Sequence, residues 1–382
     1  MNINKTIMNL IQSMNVSPYA VNQYIHPTIN LCTANQMNNA NQMNNIDKLD
    51  KRYPVLLIDT SYWLYYRFFA LRSWYNRAYP DIVAGNPNFN LEHNWLEDTI
   101  FISKYQKIFI DTIKSICKKH KTILYNVVFC IDCSHKDIWR LDQNKDYKGT
   151  RLASHRKNEF NSYDLFSFIK KTYLPQLQVL YGVKILYNNK CEADDIIGHF
   201  APFLINNNFN NVIILANDND YLQICNDKIK MIQGLITKTN TSTSTSTSTS
   251  TSTSIDNNLN IKETGIKYLI KKILLGDTSD NIKCCNIDYG YLEKYDNIQP
   301  NYKFVYKTIY KSVANNIIND SRIYEILNDK INKIRNGTIT SPDNSDLQFI
   351  KNFYENTILM DFQMLPKQLI NELLYKFNKL IQ

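Results

Sequence analysis

The acidic residues of this sequence fall in short groups whose spacing suits the holding of cations. Asp59 lies in LLIDTSYW and Asp132 in VVFCIDCS, each directly after an apolar run. Glu192, Asp194 and Asp195 crowd into CEADDIIGHF, Asp218 and Asp220 follow another apolar run in ILANDNDYLQI, and Asp277 and Asp280 stand in LLGDTSDNI. Any one of these acids alone reads as a helix N-cap or a solvated surface residue. Brought together they would repel and raise one another's pKa unless hard divalent cations such as Mg²⁺ or Mn²⁺ lay between them. In a helix starting near Glu192, residues 192 and 195 share a face while Asp194 is turned around the axis, so one helical turn reaches two neighbouring ion positions. A calcium loop of the EF-hand type does not account for Asp218, because begun there it would place Leu222 fifth and Gln223 sixth, where Gly is needed. The six histidines show no metal-ligand spacing, and Cys130-x-x-Cys133 has no second pair at zinc-finger spacing and reads as buried thiols.

These acids need a frame that brings distant segments together. Short β-branched or aromatic runs at 55–58, 126–131, 183–187, 212–216 and 229–233 alternate with stretches of helical apolar spacing. That alternation predicts an α/β fold with a central, mostly parallel sheet. Ligands bind outside the carboxyl ends of such strands, which is where Asp59, Asp132 and Asp218 would converge. Beyond Thr264 the pattern turns helical, over 266–275, 302–318, 323–334, 347–359 and 367–381, with breakers at Asn336-Gly337 and Ser341-Pro342. Four regions follow: a disordered Asn-rich tail over 1–50 with a tandem ANQMNN repeat, an α/β domain over 51–236, a loose Thr-Ser loop over 237–256, and a helical lobe over 257–382 that completes the acid set.

The 382 residues are 44% hydrophobic and 21% charged, values of a globular chain rather than a fibrous or wholly disordered one. Apolar runs stop far short of the ~20 residues a membrane span needs, and the first thirty residues lack the features of a secretory signal. Eight cysteines are too dilute for a disulfide framework in a chain of this length, so reduced thiols and an intracellular setting are expected, whether nucleus, cytoplasm or viral factory. The formal charge is +9, which suits a polyanionic partner. A basic stretch supplies Lys136, Arg140, Lys145, Lys148, Arg151, Arg156 and Lys157 with Trp139 and Tyr147 interleaved. Cations beside aromatic rings suit phosphates and unstacked bases, although a solvated basic helix would read the same way.

The succession Asp59, Asp132, Glu192-Ala-Asp-Asp195, Asp218-Asn-Asp220 and Gly276-Asp-Thr-Ser-Asp280-Asn resembles the structure-specific 5′ nuclease family of flap endonucleases, phage 5′ exonucleases and the 5′ nuclease domain of bacterial DNA polymerase I. Tyr66-Arg67, Asp146-Tyr-Lys-Gly-Thr-Arg151 and Asp220-Tyr-Leu-Gln223 add to the likeness, which covers roughly residues 53 to 380. The resemblance implies a PIN-like 5′ nuclease fold with a helical arch near 135–165, and phosphodiester hydrolysis with two Mg²⁺ or Mn²⁺ ions. It implies that Asp59, Asp132, Glu192 and Asp194 surround one ion, that Asp195, Asp218, Asp220 and Asp277 hold the second, and that Asp280 lies further out. By the same resemblance Lys148 and Arg151 contact the scissile phosphate, Arg67, Arg140, Lys145, Tyr147, Arg156 and Lys157 bind the nucleic acid, and Tyr147 or Tyr62 stacks on a terminal base.

The sequence departs from the family after GDTSDNI, where Lys283-Cys-Cys-Asn-Ile-Asp288 lacks the glycines of a helix-hairpin-helix turn. In this it is closer to the T-even phage RNase H branch, as it is in Asn356-Thr-Ile-Leu-Met-Asp361-Phe. The implied function is a 5′-to-3′ exonuclease and flap endonuclease acting on DNA with a 5′ flap or 5′ end, or on RNA-primed DNA, as a monomer in replication and repair alongside other replication proteins. A PIN-like ribonuclease and a nucleic-acid-binding protein without catalysis are the alternatives.

Overall fold

The computed structural model describes residues 48–85, 88–149, 161–233, 264–285, 311–339 and 348–382. The Asn-rich tail up to residue 47, the Thr-Ser tract, the tip of the expected arch and most of the segment after Cys285 lie outside the described residues.

The apolar runs form five strands: β1 (Val55–Asp59), β2 (Val127–Ile131), β3 (Lys184–Tyr187), β4 (Val212–Leu215) and β5 (Ile229–Ile232). They pair in the order β3-β2-β1-β4-β5, every pairing parallel, so the described sheet is wholly parallel and its carboxyl ends share one edge. β1, β2 and β4 are continuous apolar runs because both faces of the central sheet are covered. The strand limits lie within a residue or so of the sequence expectation.

Alternate strand residues feed opposite layers. Leu56, Ile58, Phe129 and Leu215 pack against α1 (Thr60–Ala78), α2 (Thr99–Lys119) and α3, a helix running through Tyr163–Phe168, a π-turn at Ile169–Tyr173, and Leu174–Tyr181. That layer is aromatic, with Trp63, Phe68, Phe109 and Tyr173 buried. On the other face, Val55, Leu57, Val128 and Ile214 meet α4 (Ala193–Asn206) and the last helix of the chain, where Phe200 and Phe377 stack at 4.4 Å.

The helical lobe contains α5 (Gly265–Leu275), α6 (Lys311–Asn319), α7 (Ser321–Arg335), α8 (Gln348–Met360) and α9 (Lys367–Ile381). These agree with the helices read from the sequence, except that the stretch before residue 311 lies outside the described residues. Helices α5 to α8 enclose their own apolar core, which also takes in Cys133, Ile138 and Tyr147 from the segment after β2. The lobe is therefore built onto the carboxyl edge of the sheet. No helix of the described residues is long and apolar enough to cross a membrane.

Candidate metal centre

The end of each central strand delivers an acid. Asp59 closes β1 and caps α1, its Oδ1 accepting from Tyr62 N at 3.0 Å. Asp132, just beyond β2, accepts from Ala193 N at 2.8 Å and from the Ser61 hydroxyl, which ties it to the start of α4. Asp218 follows β4 and caps the short 3₁₀ turn Asn219–Gln223, accepting from Asp220 N at 2.9 Å. Burial, reinforced by the charge of Asp132 and then by those of Asp194 and Asp218, pushes the Asp59 carboxyl up to about 7.

Glu192 caps α4, with Asp194 and Asp195 in its first turn. These three bring carboxylate oxygens within 4.8 Å of one another, although their charges oppose such packing. Asp194 Oδ1 is buried without a hydrogen-bond partner, 3.8 Å from an Arg140 guanidinium nitrogen. A buried carboxylate oxygen without a donor, amid further carboxylates, is a donor set that suits a hard divalent cation.

Gly276 brings the last acids in. It ends α5 at φ +69, and a Cβ there would lie 2.6 Å from Ile282 O, so only glycine allows the antiparallel bridge between Asp277 and Ile282. The resulting turn aims Asp277 at the Lys272 ammonium, 3.4 Å away, which also contacts Asp220 from the turn after β4. Asp280 receives the backbone N–H of Lys148 at 3.0 Å and sits 3.8 Å from its ammonium. Lys148 Nζ in turn donates to Glu192 at 2.6 Å. Lys148 itself is held at φ +54, a backbone conformation costly for a residue with a side chain.

Three expectations from the sequence need correction. Asp195 is fully buried, and its Oδ2 accepts from Trp139 Nε1, Arg140 and Glu192 N, each at 3.0 Å, so it faces the interior rather than the cleft. Arg140, read as a nucleic-acid contact, is 2% exposed and spans Glu192 and Asp195, because three neighbouring carboxylates need a counter-charge where water cannot supply one. Tyr147 is likewise 2% exposed, with its hydroxyl donating to Glu192 at 3.2 Å, so its ring is not free to stack on a base.

Lys145 is exposed. Arg67 stands two helical turns along α1 from Asp59, half-buried over the Tyr66 and Trp63 rings and donating to Thr112 at 3.0 Å. Tyr62 is half-buried beside Tyr66. Arg151, Arg156 and Lys157 lie outside the described residues. Reading the sequence missed Tyr221, whose buried hydroxyl donates to Asp59 at 3.2 Å, together with Ser61 and Lys272. Only Tyr221 carried a signal, its place in Asp220-Tyr-Leu-Gln223; a lysine on an amphipathic helix such as α5 reads as surface.

The family model described as the 5′-3′ exonuclease N-terminal resolvase-like domain matches residues 54–254. The chain belongs to that family. Two curated relatives, each named 5′-3′ exonuclease, come from Buchnera aphidicola of Schizaphis graminum (strain Sg) and of Acyrthosiphon pisum (strain APS). They are 25% and 26% identical over 235 residues, which is 61% of this chain and 65% of each relative. The chain thus spans slightly under two thirds of the length of the curated relatives it matches. Two T5 structures, a 5′-exonuclease with bound zinc ions and a flap endonuclease in a pseudo-enzyme–product complex with DNA and metal ions, are also similar. They align over 86% of this chain and 100% and 98% of theirs, at 14% and 13% identity and TM-scores of 0.49 and 0.48.

Proposed function

We propose that the protein is a divalent-metal-dependent phosphodiesterase acting at 5′ ends, a 5′-to-3′ exonuclease and structure-specific flap endonuclease on DNA or RNA-primed DNA. The reading is carried by Asp59, Asp132 and Asp218 at the carboxyl ends of β1, β2 and β4, with Asp132 bonded to the start of the helix that bears Asp194, whose Oδ1 is buried without a hydrogen-bond donor.

Asp59, Asp132, Glu192 and Asp194 form one side of the proposed centre, and Asp218, Asp220 and Asp277 form the other. Two Mg²⁺ or Mn²⁺ ions bound there would supply an activated water and Lewis-acid stabilisation of the departing oxygen. The chain's own residues do the rest. Lys148, buried and paired with Glu192, is the cation we assign to the scissile phosphate, for which its ammonium has to leave that carboxylate, with Arg151 three residues on in the sequence. Arg67 and Lys145, with Arg156 and Lys157, bind the phosphate backbone, and Tyr62 is the remaining candidate for stacking on a terminal base. Asp280 holds Lys148 from behind. The substrate is then a 5′ flap or 5′ end met by a monomer during replication and repair.

Single-turnover cleavage of a 5′-labelled DNA flap, beside a 3′ flap of equal length, tests this reading. Cutting near the 5′ junction in Mg²⁺ or Mn²⁺, none in EDTA and little on the 3′ flap is expected. Cleavage of RNA flaps alone would point to a ribonuclease, and binding without cleavage to a recruitment protein; either contradicts the proposal.

A further inference from the structure

The last carbonyls of a helix have no partner within it and are met by water or by side chains. At the end of α8 they are met by segments that carry the acids of the candidate centre. Arg140 Nε donates to Leu359 O at 2.7 Å while its terminal nitrogens take Glu192 and Asp195. Gln223, which ends the turn bearing Asp218 and Asp220, donates from Nε2 to Met360 O at 3.1 Å, and its Oε1 accepts from Phe362 N at 3.2 Å. The Phe362 carbonyl pairs at 2.7 Å with Nε2 of His199 on α4, which makes that nitrogen the donor. From the far side, Arg335 Nε donates to the buried Asp361 carboxylate at 2.7 Å.

Packing fixes the same place. The Phe362 ring lies against Gly198 one turn beyond Asp194, where a Cβ would come within 2.5 Å of it. Residues 359–362 therefore receive side chains from the segment after β2, from α4, from the turn after β4 and from α7. Two of these, Arg140 and Gln223, reach the segment from opposite halves of the acid cluster. A shift of 359–362 would move the halves relative to each other, and it would break a buried hydrogen bond at Arg140 and two part-buried ones at Gln223.

We propose that residues 359–362 set the spacing between the Glu192–Asp194 half and the Asp218–Asp220 half of the cluster, with Gln223 and Arg140 as the positioning residues that transmit it. The inference rests on the metal-centre reading above. It makes divalent-ion affinity a property of the C-terminal lobe as well as of the acids. Partners that orient metal ligands typically change affinity or activity 10–100-fold when lost.

The test is Mn²⁺ binding to the full chain, followed by the electron paramagnetic resonance signal of free Mn²⁺, with thermal unfolding in EDTA as the check on folding. Gln223→Met keeps length but loses both hydrogen bonds; about a 10-fold or greater rise in the Mn²⁺ Kd is expected. Arg335→Gln loosens Asp361 without touching an acid of the centre and is expected to raise the Kd several-fold, so it decides the matter if Gln223→Met does not fold. Ile331→Val, a mild change in the lobe's apolar core, should lower the unfolding midpoint and leave the Kd unchanged. An unchanged Kd in folded Gln223→Met or Arg335→Gln, or a loss in Ile331→Val equal to theirs, would overturn the proposal. No Mn²⁺ binding by the unsubstituted chain would instead overturn the metal-centre reading, and this inference with it.

Discussion

Two adjacent acids, Asp194 and Asp195, have opposite surroundings and opposite expected consequences. Asp195 satisfies Trp139, Arg140 and the Glu192 backbone, so Asp195→Ala strands several buried donors and is expected to cost about 3–5 kcal/mol in a denaturant unfolding curve. Asp194 Oδ1 takes no hydrogen bond within the protein and lies 3.8 Å from Arg140, which keeps Glu192 and Asp195 as closer partners, so Asp194→Ala is expected to cost less than about 1 kcal/mol without metal. Lys148→Ala, which removes the cation nearest the proposed phosphate position, is expected to slow single-turnover cleavage by about 10²–10³-fold with flap binding largely retained. The residues misread from the sequence share one cause. Arg140 and Tyr147 lie in a basic stretch that looks solvated, and the carboxylates that bury them come from Glu192 and Asp195, some fifty residues away. Burial of a charge is a tertiary fact, and a chain read in one dimension does not contain it.

At the scale of elements, the parallel sheet places the acids, and the turns aim them. Sequence reading found the strands and the lobe helices because short β-branched or aromatic runs and 3.6-residue apolar patterns are local signals. It also found Asp59, Asp132 and Asp218 at strand ends, since a parallel sheet sends every carboxyl end to one edge. It did not find that α8 ends against Arg140 and Gln223, because hydrogen bonds between distant segments leave no periodic trace. The turn after α5 has a sharper dependence. Gly276→Ala would set a Cβ 2.6 Å from Ile282 O at a φ of +69, so a loss of about 1–3 kcal/mol in unfolding free energy is expected, with weaker divalent-ion binding as Asp277 is displaced.

For the whole molecule, the crowded acids and the ions proposed to hold them set stability jointly. The Asp59 carboxyl is pushed up to about 7 in the folded chain, above the 3.8 of an ordinary aspartate, so the metal-free fold holds its proton more tightly than the unfolded chain does. That contribution is full below about pH 4 and lost as pH rises through 7, so the metal-free melting temperature should fall across this window and Mg²⁺ should reverse the fall. At a Mg²⁺ concentration 100 times its Kd the stabilisation is about 2.7 kcal/mol, readable as a rise in melting temperature that EDTA removes. The most direct test of the central claim is single-turnover cleavage of a 5′ DNA flap by the wild-type chain and by Asp194→Ala, with flap binding measured alongside. Mg²⁺-dependent cutting by the wild type, lost in Asp194→Ala while flap binding survives, is the predicted result. Equal turnover in the two proteins would contradict it.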